Sequence, residues 1–600
     1  MTGLNSLYNE LRLRGLRIRN MLRLLSLEAL FVITPDSSPN HTRMYSEFEP
    51  KPSIVNWLLT VRRPSPLPKA CAGILLWPVL TVAAFAACTP PPRLKADLQD
   101  KPSAETYADL GAWFGNQKQF GCAADAYSSA AKLQPNSASY QYLWGLSLYS
   151  AGQTTEAEEP LQAAARLNPS DVRPLLALGA VLDHVKQTAA AEADWRAALA
   201  IDPDSETALD ALSQDLIDDD DYEGVITLLG KSGEARVRSP LQSLNLGVAY
   251  ANLARLNEAS TALREGLNTT PDSLPLAREL ALVLKLLSRN SEAYAVLDLA
   301  LQHHPGDLDT ELLYCRMLVS GHSENAPPLL HKVLLAHPDN AEALYLSSVL
   351  ETEDGDFTHA REHLERSVDL NPNDAKAQMA LGNVLAKFQD LHGAKEHFEK
   401  AIALGVPDPE VHYDLAKVLQ SLGEGEQAQE ELRTYQQLNK AQADRTEAAG
   451  KALVGDEALA AGDAVKAAAL YRAALASNPD EPYLSYKLSQ ALDKTNDLAG
   501  ERAALQRAIE LDPKLAEAQN QMGYLSARSG DAIAAEAYFH AAIQASPSYV
   551  SAWINLAATL ASEAKWQDAT AAVDHALAID PSNAEARDLE RAILAAQPKQ

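Results

Sequence analysis

At 600 residues the chain is either several domains or a repeat array, whose length no single core limits. Aromatics are sparse at 6%, and a net charge of -28 excludes nucleic acid as a partner, because nothing would neutralise its phosphates. Four cysteines, Cys71, Cys88, Cys122 and Cys315, offer no disulfide framework and no paired metal-ligand spacing.

In chain order, residues 1–87 carry ten Lys/Arg against five Asp/Glu, leaving -33 on the remainder. The apolar stretch Ala70–Ala87 follows Arg62, Arg63 and Lys69 and ends at Cys88, the layout of a secretory signal. Its last residues, Phe85-Ala86-Ala87-Cys88, resemble a bacterial lipoprotein box, although Phe85 replaces the usual Leu. The resemblance makes Cys88 the lipidated first residue of the mature chain, and Thr89 after it implies sorting to the outer membrane. Translation starting at Val61 or Met44 would put this signal at the N-terminus, leaving residues 1–60 untranslated or unstructured and 61–87 as the signal. The competing readings are a transmembrane anchor and a buried apolar helix. Thr89-Pro90-Pro91-Pro92 then opens an extended tether, residues 88–103.

Beyond the tether one period dominates. Prolines stand at 135, 169, 203, 271, 305, 338, 372, 407, 479, 513, 547 and 581, mostly 34 residues apart. With this proline at position 32, repeats start at 104, 138, 172, 206, 240, 274, 308, 341, 375, 409, 448, 482, 516 and 550. Position 8 is small in all fourteen, from Gly111, Gly145 and Gly179 through Cys315 to Gly523 and Ala557. Position 20 is Ala in eleven, and position 24 is large, as at Tyr127, Trp195, Phe398, Tyr471 and Phe539. Small residues let helix axes approach while large ones fill the gap. The pattern resembles the tetratricopeptide repeat, a helix–turn–helix unit of 34 residues. The resemblance implies an all-α, right-handed superhelical solenoid of about fourteen such repeats, closed by a C-terminal capping helix over 584–597.

Three repeats depart from the period. The 206 repeat lacks its proline and carries Asp218-Asp219-Asp220-Asp221, which reads as a solvated acidic turn rather than a calcium loop, having no alternating spacing and no closing Glu. The 308 repeat has Pro327-Pro328 where its second helix begins, predicting a shortened helix. The 409 repeat runs 39 residues to the next start, predicting an elongated second helix and a division into a ten-repeat block, 104–443, and a four-repeat block, 444–600.

Catalytic signals are weak. His359-Ala360-Arg361-Glu362-His363 has the form of an inverted zinc-peptidase string, but Ala360 and Leu364 are core positions of an ordinary repeat and no third ligand is evident. Cys122 and Cys315 fall where a small apolar residue fits a helix core. No enzyme activity, metal or cofactor is expected, and no stretch outside the array is long enough to hold a catalytic domain.

In the family, positions 2, 5, 9 and 12 of the first helix commonly face a concave groove that holds partner peptides. Carried over, they give Tyr142, Leu146, Tyr149, Leu176, Leu244, Tyr345, Val349, Asn383, Tyr413, Lys417, Tyr486 and Tyr524. Tyrosines suit peptide contact, offering area at low entropic cost plus a hydroxyl. The expectation is a non-enzymatic scaffold for other proteins or peptide segments. It would be lipid-anchored on the periplasmic side of a bacterial envelope and support a secretion, pilus or polysaccharide-export assembly. The alternative is a cytosolic or membrane-tethered adaptor whose N-terminus is not cleaved.

Overall fold

A computed structural model describes residues 88–230, 238–253, 255–406, 408–580 and 583–597. The expected signal at 61–87, and residues 1–60 before it, lie outside these. The described residues form 29 helices and no strand. None of these helices is long and apolar enough to cross a membrane.

The repeat at 375 shows how the sequence makes each unit. Asp374 caps helix Ala375–Lys387 by accepting the N–H groups of Lys376 and Ala377. Gln389, at φ 62°, turns the chain in the left-handed region, and Asp390 caps helix Leu391–Ala403 through the Gly393 N–H at 3.0 Å. Where the turn residue is Gly355, Gly462 or Gly530, the same positive φ carries no Cβ penalty.

Packing follows the small–large pattern. Ala123, Ala157, Ala191, Ala394 and Ala569 are fully buried, and Phe398, Tyr471 and Phe539 are at most 1% exposed. Burying each such aromatic stabilises the array by about 1.5–3 kcal/mol. Cys315 fills the core of its repeat, as expected. Helix Ala584–Ala596 covers the last repeat through Ala586 and Ile593 and turns most of its other residues outward, as a cap should.

The chain separates into two compact units, divided between Pro169 and Ser170. In the first, Leu110, Phe114, Ala123 and Tyr127 form a core on which Leu94, Leu98 and Trp144 pack. The second carries the remaining repeats.

Three expectations need correction. The segment 88–103 is extended only to Pro91, after which Pro92 begins helix Pro92–Asp100, because a proline is tolerated at the first helical position, where its missing N–H has no partner to lose. The elongated helix of the 409 repeat does more than lengthen. Helix Gly425–Ala460 runs 36 residues and absorbs the first helix of the next repeat, so the expected division at 443/444 falls inside an unbroken helix. The polar, helix-favouring sequence between 436 and 447 holds no glycine or proline to stop it. Third, Cys122 is not core filling: it is bonded to Cys88 across 34 residues. The shortened helix of the 308 repeat is as expected, Ala326–Ala336, with proline in its first turn.

Candidate functional site

Repeat packing buries the first helices to different depths. The twelve groove residues named from the sequence divide there into three groups. Tyr142, Leu146, Leu176 and Leu244 are 5–8% exposed, so they pack between helices. Tyr149, Tyr345, Val349, Asn383 and Tyr486 are half-buried. Tyr413, Lys417 and Tyr524 are exposed.

The half-buried tyrosines are held by their surroundings. Burial, helped by Asp374, pushes the Tyr345 hydroxyl up to about 12, so it stays a neutral donor at any physiological pH. Tyr486 accepts from Gln490 at 2.8 Å and lies 5.7 Å from the ring of Tyr483.

The exposed tyrosines share a device. Lys417 lies 5.0 Å over Tyr413, Lys487 5.3 Å over Tyr483 and Arg528 5.6 Å over Tyr524, each cation four residues after its ring. An i,i+4 spacing stacks the two side chains on one helix face. Carboxylates then fix the cations, Asp414 holding Lys417 at 3.1 Å, Asp456 holding Lys487 at 2.6 Å and Asp493 holding Arg528 at 2.8 Å. Each ring is thereby held in place while part of its surface stays exposed.

A concavity of about 540 Å³ lies where the 36-residue helix joins the following repeat, lined by Leu438, Arg445, Ala452, Tyr483, Leu484 and Lys487 among others. Sequence reasoning named none of these. The signal was present in the five-residue excess of the 409 repeat, which removes a turn and opens the space.

The histidine string forms no shared site. The ring of His359 bonds Asp356 at 2.6 Å and that of His363 bonds Glu351 at 3.0 Å. The Asp356 hydrogen bond raises the His359 pKa, so that ring favours its protonated form.

At the N-terminal end, the Cys88 sulfur is bonded to Cys122, with Cα atoms 5.6 Å apart. One sulfur cannot carry both this bridge and a thioether-linked lipid.

Residues 115–206, 318–375 and 455–516 match one tetratricopeptide-repeat profile, and 526–593 a second. No curated protein matches the chain significantly. Among solved structures, a chain of the crystal structure of the APC/C hetero-tetramer Cut9–Hcn1 aligns over 84% of this chain and 92% of its own, at 16% identity and a TM-score of 0.29. The fourteen-fold small–large register and the two profile matches agree: the chain is a tetratricopeptide-repeat protein, an all-α solenoid of the kind that serves as a protein–protein interaction scaffold.

Proposed function

We propose that the chain is an extracytoplasmic scaffold of a bacterial envelope, lipid-anchored at Cys88, that holds partner segments against its exposed helix faces and supports a secretion, pilus or polysaccharide-export assembly. The observation that carries this is the basic flank, apolar run and small residues ending at Cys88. Acyl chains at that cysteine would exceed the two-signal threshold for stable anchoring. Exposed Tyr413, Tyr483 and Tyr524, with their stacked cations, support protein contact as the work of the array.

The bridge between Cys88 and Cys122 favours a second reading, an exported scaffold without lipid. Such bridges persist in oxidising compartments and are rare in cytosol, which supports a location outside the cytoplasm for the bridged form. Intact-mass measurement of the protein purified from its native host, with thiols alkylated before and after reduction, separates them. A chain starting at Cys88 with acyl mass supports the anchor. A lipid-free processed chain that gains two alkylations on reduction supports the bridged form. Retention of residues 1–87 with no bridge sinks both, and leaves a cytosolic or membrane-tethered adaptor.

A further inference from the structure

In a solenoid each repeat touches its neighbours, and chain-distant repeats stay apart. Here they do not. The acidic turn of the 206 repeat meets the segment that enters the last repeat, 327 residues away, where Ser548 donates a hydrogen bond to Asp221. Helix Trp566–Ile579 also comes against helix Thr188–Ile201, a second contact across the same gap.

The turn differs from its counterparts in what its capping aspartate reaches. Asp390, Asp463, Asp497 and Asp531 occupy the same place and cap their helices through one carboxylate oxygen. Asp221 caps the Gly224 N–H in the same way, at 3.0 Å, and gives its second oxygen to Ser548. Gly224 is buried, and a Cβ on it would lie 2.6 Å from the Ser548 hydroxyl. The equivalent positions are glycine in two sister repeats, Gly393 and Gly500, and carry side chains in two others, Lys466 and Ala534, so local helix geometry accepts either. At 224 the approach of Ser548 leaves no room for one. Ser548 is itself buried, at 5% exposure.

The docked turn also brings charge to the last repeats. Glu223 acts electrostatically on Tyr483 and Tyr549, and Glu517 acts on both. Loss of hydration there, with Glu517 and Asp221 nearby and only Arg255 opposing, raises the Glu223 pKa. Tyr549 meets Asn520 at 3.4 Å, and Asn520 accepts from Asn555 at 3.0 Å, so the receiving surface is a hydrogen-bonded polar platform.

We propose that the turn Asp218–Gly224 is a latch that docks in cis on Ser548 and closes the repeats after residue 170 into a loop. The inference stands apart from the export reading, since it concerns the array alone.

Small-angle X-ray scattering of the full chain tests it with two variants. Ser548→Glu sets a carboxylate against Asp221, and Gly224→Gln fills the space that Ser548 occupies. Both should enlarge the radius of gyration and maximum dimension with helix content unchanged. If Ser548→Glu loses helix content, Gly224→Gln decides, because position 224 tolerates a side chain in sister repeats. As the converse, Asp221→Cys/Ser548→Cys should cross-link within one chain under a short bis-maleimide, and neither single variant should. Unchanged scattering in the folded variants, or no cross-link in the pair, overturns the latch.

Discussion

A Cβ placed on Gly523 would lie 2.6 Å from Cε1 of Phe539, closer than any real Cβ contact, so the phenyl ring occupies the space a side chain would need. The relationship recurs. Gly111 faces Tyr127, Gly179 faces Trp195, Gly382 faces Phe398 and Gly455 faces Tyr471. Repeats with Ala, Ser or Cys at the same place, such as Ala281, Ser489 and Ala557, carry Leu297, Leu505 and Val573 sixteen residues on. Aromatic volume on one helix is matched by absence of volume on the other.

That pairing predicts a sign reversal. Gly523→Ala in an ordinary exposed helix would stabilise by about 1 kcal/mol. Here overpacking against Phe539 should outweigh that gain, with a destabilising term of about 1–3 kcal/mol. Phe539→Leu alone opens a cavity, whereas Gly523→Ala/Phe539→Leu should recover part of the loss, since it recreates the Ala281–Leu297 pair. Hydrogen exchange of the helix Ala516–Arg528 amides gives the local stability for the cycle. Additive costs would show that the two positions do not share volume.

The fold was legible because each repeat writes its own packing in residue sizes. Gly382, Ala394 and Phe398 are a small–small–large signature that needs no distant information. The groove was less legible. Tyr142 and Tyr413 both sit at position 5 of their repeats, yet one is buried and the other exposed. The difference depends on what neighbouring helices bring, which no single-repeat pattern holds. The contact of Asp221 with Ser548 lay beyond reach for the same reason, since it forms only when the path of many repeats brings two ends together. The acidic run reads as solvated in sequence, and Asp220 is exposed, but Asp221 is engaged. The Cys88–Cys122 bridge was missed because proximity of the first helix to the second repeat helix is a tertiary fact.

Asp215 makes stability depend on pH. It lies among Glu192, Asp219, Asp183 and Asp218, one of its oxygens is buried without a hydrogen-bond partner, and burial with these charges pushes its pKa up to about 7. A raised carboxylate pKa means that the folded state holds the proton more tightly than the unfolded one. The resulting stability is present below about pH 4 and is lost as pH rises through about 7. Asp215→Asn should therefore match the wild-type stability only below about pH 4. At pH 8 it should be the more stable protein, by a margin on the order of 1–2 kcal/mol. Parallel melting curves for the two proteins across this range would show Asp215 to be ionised throughout.

Exposed and buried tyrosine positions should separate binding from stability. Tyr413→Ala and Tyr524→Ala remove rings that are 39% and 44% exposed, so denaturation midpoints should move by no more than about 0.5 kcal/mol. Partner affinity, measured on whichever protein in-cell cross-linking captures, should fall by about 1 kcal/mol or more if these rings are contact anchors. Leu176→Ala should do the reverse of this on stability, costing about 2–5 kcal/mol, because it empties a packed site. Loss of binding from Leu176→Ala at full stability would return that residue to the groove.

Removal of the bridge should loosen one end of the chain and little else. Helix Pro92–Asp100 has no fully buried residue and leans on the first repeat through Leu94 and Leu98. Such a light contact holds poorly alone, so the link from Cys88 to Cys122 carries much of its attachment. Closing a loop of this length restricts the unfolded end by about 3–4 kcal/mol in the chain-entropy account. Cys122→Ser, or reduction of the wild type, should then speed amide exchange over 92–100 while repeats beyond 138 keep their protection. A chain lipidated at Cys88 should resemble the Cys122→Ser variant in this respect, because its sulfur is already spent. Equal exchange in the oxidised, reduced and substituted chains would mean that Leu94 and Leu98 hold the helix by packing alone.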